Sequence, residues 1–154
     1  LEQLKKLDYM HDRRKHNFKR VHEIFSKYDD LFYLPTALDK ADVSWFGFLI
    51  TLKDDLPFKK SKLISYLENA KIQTRSYFTG NALFHPAYQD LAKKYKNPRT
   101  KFPVATKSTV DTFFMGVWPG MTDEQLDYVE EVVNQFCEKE ITTLKRSKRL
   151  KRKN

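Results

Sequence analysis

The chain is poor in the residues that most often mark a specialised site. It holds one cysteine, Cys137, and four glycines in 154 residues. A single thiol excludes an internal disulfide framework, and it excludes a zinc or iron–sulfur site built from cysteines of this chain. A Gly-rich phosphate loop is missing, and so are the HExxH and GxSxG patterns. No apolar run approaches the ~18–20 residues that a membrane-spanning helix needs, so no membrane partner is expected. The charged, helix-patterned N-terminus does not read as a secretory signal, and with the lone cysteine it sets a cytoplasmic location as the expectation. His11, His16, His22 and His85 lack the i,i+4 spacing of a helical metal pair; they read as surface residues, and no metal is expected. Asp54 and Asp55 read as solvated loop carboxylates, and Cys137 as a small buried hydrophobe.

Aromatic residues are plentiful: 12 Phe, 8 Tyr and 2 Trp. Such large side chains fill a small core with few residues. With 40% hydrophobic and 32% charged residues, the chain suits one domain with a real core. The formal net charge is +9, and Lys145, Arg146, Lys148, Arg149, Lys151, Arg152 and Lys153 supply seven of those charges. Basicity is therefore a terminal feature of a nearly balanced body. Residues 142–154 read either as a solvated, disordered basic tail or as a contact for the phosphates of nucleic acid or anionic lipid.

Leu4, Leu7 and Met10, then Phe18, Val21, Ile24, Phe25 and Tyr28, recur at helical spacing and predict a first helix to about Lys27. Strands are expected at 45–52, 72–78 and 113–118. A second helix follows Pro57 and Ser61, with Leu63, Ile64, Leu67 and Ala70 on its apolar side. Residues 86–94 predict a helix and 106–112 a short one, whereas 93–107, broken by Pro98 and Pro103, reads as loop. Thr122-Asp123-Glu124-Gln125 is a capping box ahead of a helix whose inner side carries Leu126, Val129, Val133, Phe136 and Cys137. These elements predict an α+β domain: a small, mostly antiparallel sheet with helices packed on one face.

The segment around Arg75 is the one local pattern that suggests binding. A guanidinium can hold a phosphate or carboxylate bidentately, and Phe78 can cover a flat ring. Gly80 permits close backbone approach, and Asn81 can both donate to and accept from a sugar hydroxyl. The bland alternative is a structural ion pair for Arg75 and a simple turn at Gly80-Asn81. Trp45, Phe46, Phe48, Phe113 and Phe114 read as core.

Ser44-Trp45-Phe46-Gly47-Phe48, Leu67-Glu68-Asn69 with Ile72-Gln73-Thr74-Arg75, Phe78 with Gly80-Asn81 and Pro86-Ala87-Tyr88, Asp111-Thr112-Phe113, and Gly116-Val117-Trp118-Pro119-Gly120 follow one another in a telling order. Together they resemble the C-terminal small domain of the DegT/DnrJ/EryC1/StrS sugar aminotransferase family, which uses pyridoxal phosphate (PLP). Within it the chain looks most like the nucleotide-sugar 3-dehydratase branch, typified by the CDP-4-keto-6-deoxyglucose enzyme of lipopolysaccharide deoxysugar biosynthesis. Related aminotransferases carry a Pro-Leu-His stretch whose histidine aligns with Leu83 here, which favours the dehydratases. Lys71, His85 and the basic tail depart from the family pattern.

The resemblance implies the small domain of fold-type I PLP-dependent transferases, with residues 1–30 as a linker helix toward a missing large domain and 31–141 as the small domain. It implies a nucleotide-sugar substrate, a homodimeric parent enzyme, and pyridoxamine phosphate (PMP) or PLP bound by the parent rather than by this chain; iron–sulfur usage is left open. No catalytic residue is assigned here. Arg75, Phe78, Gly80 and Asn81 are the expected substrate-binding set. Two other readings stand beside this one: the same domain from an aminotransferase, and a stand-alone module using its basic tail on nucleic acid.

Overall fold

The computed structural model describes residues 1–151, with side chains described as far as Lys145. After a 3-10 turn at Leu4–Lys6 come α1 (Leu7–Ser26), β1 (Phe32–Tyr33), β2 (Gly47–Leu52), α2 (Lys60–Asn69) and β3 (Thr74–Ser76). Two further 3-10 turns, Ala82–Phe84 and Pro86–Tyr88, lead to α3 (Gln89–Ala92), α4 (Pro98–Lys101) and α5 (Pro103–Val110). Then β4 (Thr112–Gly116) and the long α6 (Asp123–Lys151) follow.

The strands form one open antiparallel sheet in the order β1-β2-β4-β3. Alternation decides its two faces, since neighbouring residues of a strand point opposite ways. Phe48, Ile50 and Leu52 of β2 and Phe113 and Met115 of β4 face inward and are buried. Against them α1 places Val21, Ile24 and Phe25, α2 places Leu63 and Leu67, and α6 places Leu126, Val129, Val133, Phe136 and Cys137. These side chains make one continuous cluster, so α1, expected as part of a linker, is packed into the same core as the sheet. The α+β expectation, with helices on one face, describes the three long helices. The short α5 lies on the opposite side, where Val104, Lys107 and Ser108 form a hollow with Tyr33, Thr51 and Thr112.

An ion-pair ladder ties α1 to α6. His16 Nε2 lies 3.0 Å from Asp123 Oδ1, Arg20 reaches Asp127 at 2.9 Å, and Lys27 pairs with Glu130. Inside this seam, Asn17 is fully buried and its Nδ2 donates to the Trp118 carbonyl at 2.6 Å, clamping the turn before α6. The expected capping box forms in both directions: Thr122 N–H donates to Gln125 Oε1 (3.1 Å), and Gln125 N–H donates to Thr122 Oγ1 (3.3 Å).

Four expectations need correction. A fourth strand, β1, is only two residues long, too short to leave an alternating signal. The expected loop at 93–107 holds α4 and the start of α5, because Pro98 and Pro103 occupy first-turn positions where a missing N–H costs nothing. The expected helix at 86–94 is divided into a 3-10 turn and α3. Finally, α6 continues to Lys151, so residues 142–151 extend a helix where a disordered tail was expected; residues 152–154 lie outside the described residues.

Candidate functional site

Arg75 owes its position to its predecessor. Thr74 faces the core, and both its N–H (3.0 Å) and its hydroxyl (2.7 Å) donate to Glu68 Oε1 at the end of α2. These hydrogen bonds hold the Glu68 carboxyl below its ordinary pKa. With Thr74 fixed inward, Arg75 must point outward. The register sets Arg75 opposite Phe114, and Phe114 opposite Leu49, so the three share the outer face. Arg75 is exposed and, among the described residues, has no ion-pair partner. The structural ion pair weighed for it does not form among the described residues.

Beyond β3 the chain turns sharply. Phe78 N–H donates to the Ser76 carbonyl at 2.8 Å, and Phe78 takes a φ of 41°, a left-handed conformation that is costly for an aromatic residue. That turn leaves the Phe78 ring 67% exposed. Its centroid lies 5.8 Å from Phe114 and 6.1 Å from Phe46, and those two lie 5.4 Å apart. Gly47 makes room for the trio, since a Cβ there would come 2.8 Å from the Phe114 ring. The outer face thus offers three phenylalanine rings on the same side of the sheet as Arg75, so one face carries both apolar rings and a cation suited to an anion.

The other two expected binding residues have internal work. Gly80 has a φ of 57° and lies directly beneath α5. Asn81 is 3% exposed. Its Oδ1 accepts from Leu83 N–H (3.1 Å), its Nδ2 donates to Thr106 Oγ1 (3.4 Å), and its N–H donates to Thr109 Oγ1 (2.6 Å). Asn81 joins the loop to α5 and turns no free polar atom toward solvent. The proposed set therefore divides: Arg75 and Phe78 face outward, while Gly80 and Asn81 hold the loop beneath them.

Phe46 and Phe114, assigned to the core from sequence, belong to the outer surface; Phe46 is 57% exposed. A signal for this was present. Phe113 and Phe114 are adjacent in one strand, and only one of them can face inward. Next to Phe78 is a cavity of about 690 Å³, walled by Thr79 and Gly80 on one side and by Lys101, Phe102 and Val104 on the other. Cavities of this size accept small-molecule ligands.

Two groups suited to covalent chemistry, Lys60 and Cys137, are engaged or buried. Burial pulls the pKa of Lys60 down, but its Nζ donates to the carbonyls of Thr109 (2.6 Å) and Thr112 (3.1 Å) and closes the end of α5. Burial pushes the Cys137 thiol up to about 12, far from the thiolate a nucleophile needs. Among the described residues, no three His, Cys, Asp or Glu side chains gather as a metal site. No helix there is long and apolar enough to cross a membrane. With its ammonium turned to main-chain carbonyls, Lys60 is not free to meet a cofactor aldehyde.

The chain has relatives among known nucleotide-sugar enzymes. A curated dTDP-4-dehydro-2,6-dideoxy-D-glucose 3-dehydratase of Saccharopolyspora spinosa is 37% identical over 139 residues, which is 90% of this chain and 29% of the relative. The lipopolysaccharide biosynthesis protein RfbH of Salmonella typhimurium is 33% identical over 136 residues, 88% of this chain and 30% of the relative. The chain thus spans under a third of either relative's length. The solved structure of E. coli GDP-4-keto-6-deoxy-D-mannose-3-dehydratase with bound hydrated PLP superposes with a TM-score of 0.68 at 26% identity, covering 86% of this chain and 33% of that one. The profile of the DegT/DnrJ/EryC1/StrS aminotransferase family matches residues 1–134, and the chain belongs to that family.

Proposed function

We propose that this chain is the substrate-side small domain of a PMP- or PLP-dependent nucleotide-sugar 3-dehydratase acting on a 4-keto-6-deoxy sugar in deoxysugar and lipopolysaccharide biosynthesis. The observation that carries the reading is the outward pair of Arg75, exposed and without an ion-pair partner among the described residues, and Phe78, exposed against Phe46 and Phe114. The dehydratases among its relatives support the reaction class. In this proposal the cofactor is held by another part of a homodimeric parent enzyme, where it acts as the electron sink for loss of the 3-hydroxyl. Residues of this chain bind and orient. Arg75 holds an anionic or strongly accepting group of the substrate, and the phenylalanine surface excludes water from a sugar or base ring. The CDP-4-keto-6-deoxyglucose enzyme is the branch member that the sequence resembles, while the relatives' names span dTDP- and GDP-linked sugars. The proposal therefore covers nucleoside-diphosphate 4-keto sugars and takes a CDP-linked one as its first candidate.

The test is turnover by the parent enzyme carrying Arg75→Ala or Phe78→Ala, with CDP-, dTDP- and GDP-linked 4-keto-6-deoxy sugars as substrates. Each substitution is expected to raise KM about tenfold or more for the accepted substrate, the effect of one lost charge-assisted or stacking contact. Unchanged KM in both variants removes these residues from the site. Amino transfer without loss of the 3-hydroxyl would move the protein to the aminotransferases. Dehydratase turnover by residues 1–154 alone, with added PMP, would end the partial-domain reading.

A further inference from the structure

Residues 91–110 contain six Lys or Arg and no Asp or Glu. Two of these cations are neutralised from outside the segment: Lys93 pairs with Asp90 at 2.7 Å, and Lys107 with Asp54 at 2.6 Å. A third, Arg99, stacks on the Phe84 ring at 4.7 Å. The remaining three, Lys94, Lys96 and Lys101, are exposed and have no ion-pair partner among the described residues. All three line one cavity of about 670 Å³, with Tyr95, Asn97 and Thr100 completing the wall. Lys101 also lines the cavity beside Phe78, so the two hollows adjoin through this one side chain.

Like charges around a single hollow repel, and a polyanion seated there removes the repulsion. Ammonium groups act as compact point charges toward phosphate oxygens, while Asn97 and Thr100 supply neutral polar groups beside them. The concave, localised shape suits a short polyphosphate better than a duplex or strand, which would need a groove or stripe of charge. We infer that the Lys94–Lys96–Lys101 hollow is a diphosphate subsite, and that Lys101 marks the passage from the diphosphate to the ring held at Phe78. This rests on the nucleotide-sugar reading above and adds to it the end of the domain toward which the nucleotide runs.

The experiment titrates inorganic pyrophosphate, CDP, dTDP, GDP and uncharged cytidine into the chain, following backbone amide shifts and calorimetric heat. Four proteins are compared: the unaltered chain, Lys96→Gln, the triple variant Lys94→Gln/Lys96→Gln/Lys101→Gln, and Lys19→Gln as a charge-matched control on α1. The expected result is a loss of about tenfold in pyrophosphate and nucleoside diphosphate affinity for Lys96→Gln, with a larger loss for the triple variant. Cytidine binding and the Lys19→Gln protein should stay unchanged. Circular dichroism melting confirms that each exposed substitution leaves the fold intact. Equal diphosphate affinity in the triple variant, or no diphosphate binding by the unaltered chain, overturns the subsite. So does a single-stranded RNA oligonucleotide that binds with the same lysine dependence and greater affinity. If the parent enzyme turns over its sugar normally with all three lysines replaced, the subsite falls and the dehydratase proposal stands. If the lysines bind diphosphate but the parent accepts no 4-keto sugar, the subsite stands and the dehydratase proposal falls.

Discussion

The Thr109 side chain lies directly over Gly80: a Cβ at residue 80 would come 2.3 Å from Thr109 Oγ1 and 3.0 Å from Thr109 Cα. This contact seats the Arg75–Asn81 loop against α5, and Gly80 itself lines the cavity beside Phe78. Gly80 also needs its positive φ. Gly80→Ala must both shift α5 and strain the backbone, and it is expected to destabilise the chain by about 1–3 kcal/mol. Urea unfolding measures this. A change below about 0.5 kcal/mol would mean that α5 gives way freely.

Phe78 and Asn81 lie three residues apart, and their substitutions should behave oppositely. Phe78 is 67% exposed, so Phe78→Ala is expected to change stability by less than about 1 kcal/mol while weakening nucleotide-sugar binding. Asn81 is buried and satisfies Leu83 N–H and the Thr106 hydroxyl. Asn81→Ala leaves Leu83 N–H without its acceptor, while the Thr106 hydroxyl keeps its bond to the Arg99 carbonyl; it should cost about 1–3 kcal/mol, with any loss of binding following the loss of folded protein. Thermal melts and ligand titrations on both variants separate the two roles. A stable Asn81→Ala protein that fails to bind would return Asn81 to the sugar contact.

Lys60 offers a test of how α5 is held. Its Nζ donates to two main-chain carbonyls, Thr109 and Thr112, on either side of the junction between α5 and β4. Lys60→Met keeps most of the aliphatic stem and removes both donors. The expected cost is about 1–3 kcal/mol, with faster amide exchange localised to 105–112. Loss of stability without that localisation would assign the effect to packing in α2.

The strands and long helices were legible because each obeys one strong period. Phe48, Ile50 and Leu52 alternate, and Leu126, Val129, Val133 and Phe136 repeat at helical spacing. The segment at 93–107 was misread because a proline ends one helix and begins another with equal ease, and its sequence carries no apolar period to decide between them. The exposure of the expected set was only partly legible. Chemistry alone nominated Arg75, Phe78 and Asn81 equally, but exposure depends on which side of a two-ended loop meets α5, a contact 28 residues away along the chain. Arg75 could have been placed from register: the inward Thr74, tied to Glu68, forces its neighbour outward. Phe46 and Phe114 carry the apolar signal of core residues, yet with Phe113 turned inward strand alternation puts Phe114 on the outer face, where Phe46 packs against it.

Acid should loosen the seam between α1 and α6. The hydrogen bond from Lys27 holds the Glu130 carboxyl below its ordinary value of 4.5, helped by the charges of Lys27 and Arg20. Asp123 is likewise lowered, chiefly by its hydrogen bond with His16. A carboxyl with a lower pKa in the folded chain than in the unfolded one releases its proton more readily when folded. Its stabilising contribution is therefore complete above the unfolded value and disappears as pH falls through the folded value. Stability is expected to hold near neutrality and to decline from about pH 5 downward. Glu130→Gln cannot titrate. It should be less stable than the unaltered chain at pH 7, and the difference should close as the pH approaches 3. Urea midpoints measured across that range give the answer. A constant gap between the two proteins at every pH would show that Glu130 contributes packing rather than charge to the seam.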